Sequence, residues 1–189
     1  IASMNNNPIV FALANPEPEI SYHEAISVRK DLIMATGRSD HPNQVNNDLG
    51  FPYIFRGALD VRARCINEEM KLAAVRSIAD LTKELVPETV NLAYGEQVIT
   101  FGPDYIIPKP LDNRLISVVA PAVAKAAMDS GVAQIQIPDL DVYAQELETR
   151  LGFDNKLLKS ITNRAISNPK RVVFAEAEHY KILKAAQQV

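Results

Sequence analysis

The chain has 189 residues, 47% of them hydrophobic, and 20 Lys and Arg against 23 Asp and Glu give a net charge of −3. That length and apolar content fit one globular domain, or one domain with a piece of another, and the slight negative balance offers no general attraction to nucleic acid or to an anionic membrane. A single cysteine, Cys65, excludes an internal disulfide framework and a cysteine-only metal cluster, and no apolar stretch approaches the ~20 residues that cross a bilayer.

Pro8-Ile9-Val10-Phe11-Ala12-Leu13-Ala14 is a continuous apolar run of strand length, the pattern of a buried strand in a parallel sheet. Asn15-Pro16-Glu17-Pro18 then forces a turn, because each proline pushes the residue before it out of the helical region. A short helix over 22–29 leads to a second strand, Leu32–Thr36, ended by Gly37. This strand-helix-strand rhythm predicts an α/β fold, part of an open Rossmann-like doubly wound parallel sheet followed by a helical tail.

From Gly50 to Arg64, residues Phe51, Ile54, Phe55, Ala58, Val61 and Cys65 recur at helical spacing and are expected to form one buried face. A second helix begins at Asn67, a good cap, with two acids in its first turn and Met70, Ala73, Ala74, Ile78 and Leu81 along one stripe. "LVPETVNLAYGEQVITFGPDYIIPKPLDN" reads as an extended excursion. A third helix from Arg114 through Met128 ends at Gly131, with Pro121 marking a kink or a break. "DLDVYAQELETRLG" and "NKLLKSITNRAIS" predict two shorter helices, Arg171–Phe174 a further buried strand and "EHYKILKAAQQV" a final helix. A strand so close to either end lacks neighbours, so the chain is expected to be a piece of a longer polypeptide. No basic-then-apolar leader is visible, and a reducing cytoplasm is the expected compartment.

Reactive side chains are sparse. His23, His41 and His179 are far apart and no pair has the spacing that sets two ligands on one helix face, so no metal site is expected in this chain. Cys65 falls on the apolar stripe and is read as core, and Glu68-Glu69 as acids drawn to a helix N-terminus. No Gly-rich phosphate-binding turn follows the first strand.

What remains is two loops at the carboxyl ends of the two strands, one carrying Asn15 and the other Asn46 and Asn47, in "ATGRSDHPNQVNNDLGFPYIFRGALDV". Ligands collect at that edge of open α/β sheets. A neutral amide that both donates and accepts suits a nicotinamide carboxamide, a ribose hydroxyl or a substrate carboxylate, and the N-terminus of the following helix favours an anion. The plainer reading makes Asn15 part of a turn and Asn46 a helix cap.

"FALANPEPEI", "ATGRSDHPNQVNNDLGFPYIFRGALDV" and "INEEMKLAAVRSIADL" together closely resemble the carboxyl-terminal half of the cofactor-binding domain of bacterial malic enzymes. "YGEQVITFGPDYIIPKPLDNRL" and "VAPAVAKAAMDSGVA" resemble the end of the same domain. The tail "NPKRVVFAEAEHYKILKAAQ" is similar to the opening strand and helix of the phosphate acetyltransferase-like domain that multidomain, NADP-dependent members carry, departing from it at Ala175 and Ala177, where proline and glycine are common. The resemblance divides the chain into a C-terminal portion of the NAD(P)-binding domain (1–135), a helical linker (136–168) and the start of the appended domain (169–189).

In that family the reaction is oxidative decarboxylation of (S)-malate to pyruvate and CO₂, with NADP (or NAD) reduced and Mg²⁺ or Mn²⁺ required. The resemblance implies that the lysine base, tyrosine acid, metal carboxylates and Gly-rich turn all precede this segment, so none of the catalytic residues is in the chain. It implies that Asn15 contacts the nicotinamide end of the cofactor and that Asn47 holds a substrate carboxylate with Asn46 as neighbour. It also implies a homo-oligomer, the rest of the polypeptide as packing partner, and acetyl-CoA as a regulator of the full protein. Two other classes compete with this reading: a non-enzymatic binding or oligomerisation module, and part of a different NAD(P)-dependent dehydrogenase.

Overall fold

The structure is a computed structural model that describes residues 1–96, 98–151, 161, 164–175, 182, 183 and 186. Its chain divides into two compact units, Ile1–Arg150 and Leu151–Val189.

In the first unit β1 (Ile9–Ala12) pairs in parallel with β2 (Ile33–Thr36), in the register Ile9 to Ile33 and Ala12 to Thr36, and α1 (Tyr22–Val28) connects them. Ser21 starts α1 with a capping box: its hydroxyl accepts from the Glu24 N–H at 3.3 Å, and the Glu24 carboxylate accepts from the Ser21 N–H. Side chains alternate along β1. Val10 and Ala12 pack with Ala25 of α1 and Met34 of β2, whereas Ile9 and Phe11 are 53% and 51% exposed. The expectation of a fully buried β1 is therefore corrected. A strand buried on both faces needs cover on both, and among the described residues only one face has it.

The main core is helical and centres on α5 (Arg114–Asp129), against which α2 (Phe51–Asp60), α3 (Glu68–Leu81) and α6 (Leu140–Arg150) pack. Leu115, Val119, Ala120, Val123, Ala124 and Ala127 of α5 are wholly buried. Pro121 lies inside this helix without ending it, which settles the choice between kink and break in favour of continuity. Gly131 follows at φ +73°, in the left-handed region that suits a helix end.

The buried face of α2 is not the one its aromatic residues mark. Of the expected face Ala58 and Val61 are buried and Ile54 packs beside them, as does Gly57, while Phe51 and Phe55 stand exposed. Contact with α5 is so close that a Cβ on Gly57 would collide with the Ala120 carbonyl oxygen and lie 2.9 Å from the Val123 Cβ. Backbone proximity at one glycine thus decides which stripe faces inward. α2 ends at Asp60, and Arg62 then adopts φ +49°, so the helical spacing does not extend to Cys65. Cys65 is exposed, contrary to the reading of it as core.

α3 follows expectation. The Asn67 Oδ1 accepts from the Met70 N–H at 3.1 Å, Glu68 and Glu69 occupy the first turn, and Met70, Ala74 and Leu81 are buried. The 85–113 span is not wholly extended: α4 (Glu88–Ala93) forms there, and Val86, Val90, Ile99 and Tyr105 make a small core of their own. α6 brings Tyr143 and Leu147 into the main core, and the Tyr143 hydroxyl donates to Asp60 Oδ2 at 2.6 Å. The first part of the span expected as a linker, 136–168, is therefore core-forming structure.

In the second unit, 164–167 is helical, as are 161, 182, 183 and 186. Arg171–Phe174 forms no strand, and Val173 is 92% exposed. A parallel strand exists through ladder hydrogen bonds to neighbours, and no described residue pairs with this segment. Much of the expected helices over 155–167 and 178–189 lies outside the described residues.

Gly57→Ala tests the helix contact. We expect a loss of about 1–3 kcal/mol in unfolding free energy, read by denaturant titration, because the added methyl must push α2 and α5 apart.

Candidate functional site

Parallel pairing of β1 and β2 sends the loops that follow them out at the same edge of the sheet. Between those loops lies a cleft of about 430 Å³, lined by Leu13, Ala14, Asn15, Pro16 and Pro18 on one side and by Gly37, Arg38, Val45, Asn46 and Asn47 on the other. All three asparagines singled out by sequence line this cleft. Its position, at the carboxyl ends of parallel strands, is where open α/β sheets hold ligands.

Each loop is fixed by local hydrogen bonds. In the first, the Glu19 carboxylate accepts from the Ala14 N–H at 3.1 Å. Bonds from the backbone N–H groups of Glu19 itself, Ala14 and Leu13 hold that carboxyl below its ordinary pKa. In the second, the Val45 N–H donates to the Thr36 carbonyl at 2.8 Å and the Arg38 N–H donates to the buried Thr36 Oγ1 at 3.2 Å. The loop thereby leaves the strand and returns to its end.

Asn43 is 3% exposed at φ +53°, and its carboxamide donates to the carbonyls of Met34, at 3.1 Å, and Pro103, at 2.7 Å, while accepting from the Ile106 N–H at 2.8 Å. Sequence reasoning missed it. The local signal was present, since asparagine tolerates left-handed backbone, but two of its partners lie far along the chain.

The two neighbouring asparagines do different work. Asn46 Oδ1 accepts from the Asp48 N–H at 3.0 Å and caps a single 3₁₀ turn, Asn47–Leu49. Neither asparagine caps α2, which starts after Gly50, so the expected placement of both at the N-terminus of that helix is corrected. The side-chain amides of Asn47 and Asn15 make no hydrogen bond to any described residue, and both residues are exposed. Arg38 supplies positive charge to the lining. Its guanidinium is held by Asp40, with Nε to Oδ1 at 2.9 Å and Nη2 to Oδ2 at 2.8 Å, which lowers the Asp40 pKa below the usual carboxylate value.

A larger cavity of about 690 Å³ lies between 39–42 and the 94–109 span, and includes none of the three asparagines. Tyr105, on its wall, has a hydroxyl that is buried without a partner, and burial pushes its pKa up to about 12. Among the described residues no group of three or more His, Cys, Asp or Glu could hold a metal ion. No described helix is long and apolar enough to cross a membrane.

Known proteins resemble this chain in sequence and in structure. Residues 1–94 match the family model described as malic enzyme, NAD binding domain. An NADP-dependent malic enzyme from Salmonella typhimurium is 56% identical over the whole chain, which spans 25% of that protein. An NAD-dependent malic enzyme from Rhizobium meliloti is 52% identical over 99% of the chain and 24% of its own length. The crystal structure of a malic enzyme from Pyrococcus horikoshii superimposes with a TM-score of 0.62 at 38% identity, over 84% of this chain and 33% of that one. The chain thus spans about a quarter of the length of the curated relatives it matches.

The cap geometry separates the two asparagines by stability. Asn46→Ala is expected to lower unfolding free energy by about 0.5–2 kcal/mol through loss of the cap, while Asn47→Ala stays within about 0.5 kcal/mol of the parent, both read by thermal denaturation.

Proposed function

From the match of residues 1–94 to the malic enzyme NAD-binding domain, we propose that this chain supplies the nicotinamide- and substrate-facing part of an enzyme that oxidatively decarboxylates (S)-malate to pyruvate and CO₂ with reduction of NADP. The observation that carries the reading is the cleft that gathers Asn15, Asn46 and Asn47 from two separate loops, with two of the amides unengaged. Bound NADP supplies the hydride acceptor. The choice of NADP over NAD rests on the relatives, which include both kinds.

The residues of the chain act by position. Asn15 is assigned to the carboxamide of the nicotinamide, where one amide matches the donor and acceptor of another. Asn47 donates from its free amide to a malate carboxylate, Asn46 stands beside it with its oxygen committed to the 3₁₀ turn, and Arg38 adds positive charge to the same wall. An exposed, unengaged amide needs no reorganisation of the core to meet a carboxylate.

The ligands of the Mg²⁺ or Mn²⁺ that the reaction requires are assigned outside this chain, with the proton-transferring base and acid, on the resemblance of its sequence to malic enzymes. The apolar face that carries Ile9 and Phe11 supports cover by the rest of a longer polypeptide, or by a second copy in a homo-oligomer. The assignment of 169–189 to a phosphate acetyltransferase-like domain, and with it regulation by acetyl-CoA, stands as part of the proposal on the resemblance of its sequence, as does a cytoplasmic location.

The experiment uses the full-length polypeptide. Asn47→Ala is expected to lower kcat/KM for malate by roughly 10- to 150-fold, the equivalent of about 1.5–3 kcal/mol for a hydrogen bond to a charged group, with the cofactor KM little changed. Asn15→Ala should instead raise the cofactor KM or slow hydride transfer. Unchanged malate kinetics in Asn47→Ala would remove the carboxylate assignment. The purified 189-residue chain is expected to show no malate-dependent NADP reduction with Mn²⁺, and turnover by it would contradict the placing of base, acid and metal ligands elsewhere.

A further inference from the structure

We propose that Asn43 is a positioning residue for the cleft: from beneath the 37–47 loop its carboxamide sets where Asn46 and Asn47 stand, and so governs carboxylate binding without touching the ligand. The inference rests on the proposed function and deepens it.

Three observations place this role on Asn43. First, its side chain joins three stretches of chain at once, the β2 carbonyl of Met34, the carbonyl of Pro103 and the N–H of Ile106. Both amide hydrogens and the oxygen are used, and the residue is 3% exposed, so its own carboxamide is shielded from water. Second, its φ of +53° turns the chain back toward the strand end, where the Val45 N–H meets the Thr36 carbonyl at 2.8 Å. Asparagine meets both demands, since it tolerates left-handed backbone and its short amide reaches neighbouring main chain. Third, Val45, Asn46 and Asn47, which leave this joint directly, are cleft-lining residues, whereas Asn43 is not.

Upstream of Asn43 the loop is also tied to α1 by the His41 ring, which stacks on Tyr22 with centroids 4.5 Å apart. Arg38 and Asp40 pair with each other at its outer side, both about half exposed, and such a pair is worth little in water. On the inner side the fixed points are the Thr36 contacts and the Asn43 joint. Loss of the joint would free residues 44–48 to sample positions in which the Asn47 amide no longer meets its ligand.

The test compares two variants of the full-length polypeptide. Asn43→Gly keeps the left-handed backbone and removes all three side-chain bonds. Asn43→Asp keeps the acceptor for Ile106, but as a carboxylate it faces two carbonyl oxygens, and only its protonated form can donate to one of them. Asn43→Gly is expected to raise the malate KM about 10-fold or more with the cofactor KM within about twofold, and to speed hydrogen exchange in a peptide covering 44–50 about 10-fold while α5 peptides stay protected. In Asn43→Asp, burial against those carbonyl oxygens raises the pKa of the introduced carboxyl, so the joint is present at low pH and lost as pH rises. The malate KM of that variant, taken relative to the parent, should therefore fall toward the parent value with acidification. A merely structural role would lower the active fraction, and hence kcat, with the malate KM unchanged; that result, or unchanged exchange in 44–50, overturns the proposal. Asn47→Ala in parallel distinguishes the two ideas. If its malate kinetics are unaltered while Asn43→Gly both raises the malate KM and loosens 44–50, the loop-positioning claim holds and the carboxylate assignment of Asn47 falls.

Discussion

One buried carboxamide ties the sheet edge to the rest of the first unit. Asn43 takes the carbonyl of Met34 from β2, and the carbonyl of Pro103 and N–H of Ile106 from the span after α4, and satisfies all three from a side chain that is itself buried. A buried backbone group left without a partner costs about 1–3 kcal/mol. β2 and the 103–106 stretch are therefore held in one arrangement, and the loop that departs from this joint carries Asn46 and Asn47 of the cleft.

Apolar burial and the candidate cleft are drawn from different parts of the same unit. The helical layer around α5 supplies the apolar burial, through small residues that let backbones approach closely, with Gly57 against Ala120 and Val123 as the tightest point. The two-stranded sheet supplies little: one face is packed by α1, and the other leaves Ile9 and Phe11 exposed. What the sheet does supply is direction. Parallel strands deliver their loops to a common edge, so Asn15 and Asn47 share a cleft although no hydrogen bond joins them.

Periodicity and turn chemistry made much of this legible beforehand. The strand-helix-strand unit, the Asn67 cap, the stripe of α3 and the helix through Pro121 are all local features, set by residues within a turn or two of each other. The three cleft asparagines were legible for a related reason, since strand ends and turn residues mark the ligand edge. Failures fell where a distant partner decides the outcome. Of the expected α2 stripe Ile54, Ala58 and Val61 pack inward but Phe51 and Phe55 do not, because α5 comes near on the Gly57 side, and Cys65 was lost from the core because Arg62 breaks the helical spacing. Asn43 stood in plain view beside Asn46 and Asn47, yet nothing local points to Pro103 or Ile106 as its partners. The Arg171–Phe174 run has strand composition without a strand beside it, and composition cannot supply one.

The central claim is that the Asn15–Asn47 cleft receives nicotinamide and malate side by side. Its most direct test is a crystal structure of the full-length polypeptide with NADP and a non-reacting dicarboxylate analogue of malate. The account predicts a ligand carboxylate at about 2.9 Å from Asn47 Nδ2 and the nicotinamide carboxamide at hydrogen-bond distance from the Asn15 side chain. A dicarboxylate bound elsewhere, with the Asn47 amide left in solvent, would contradict it.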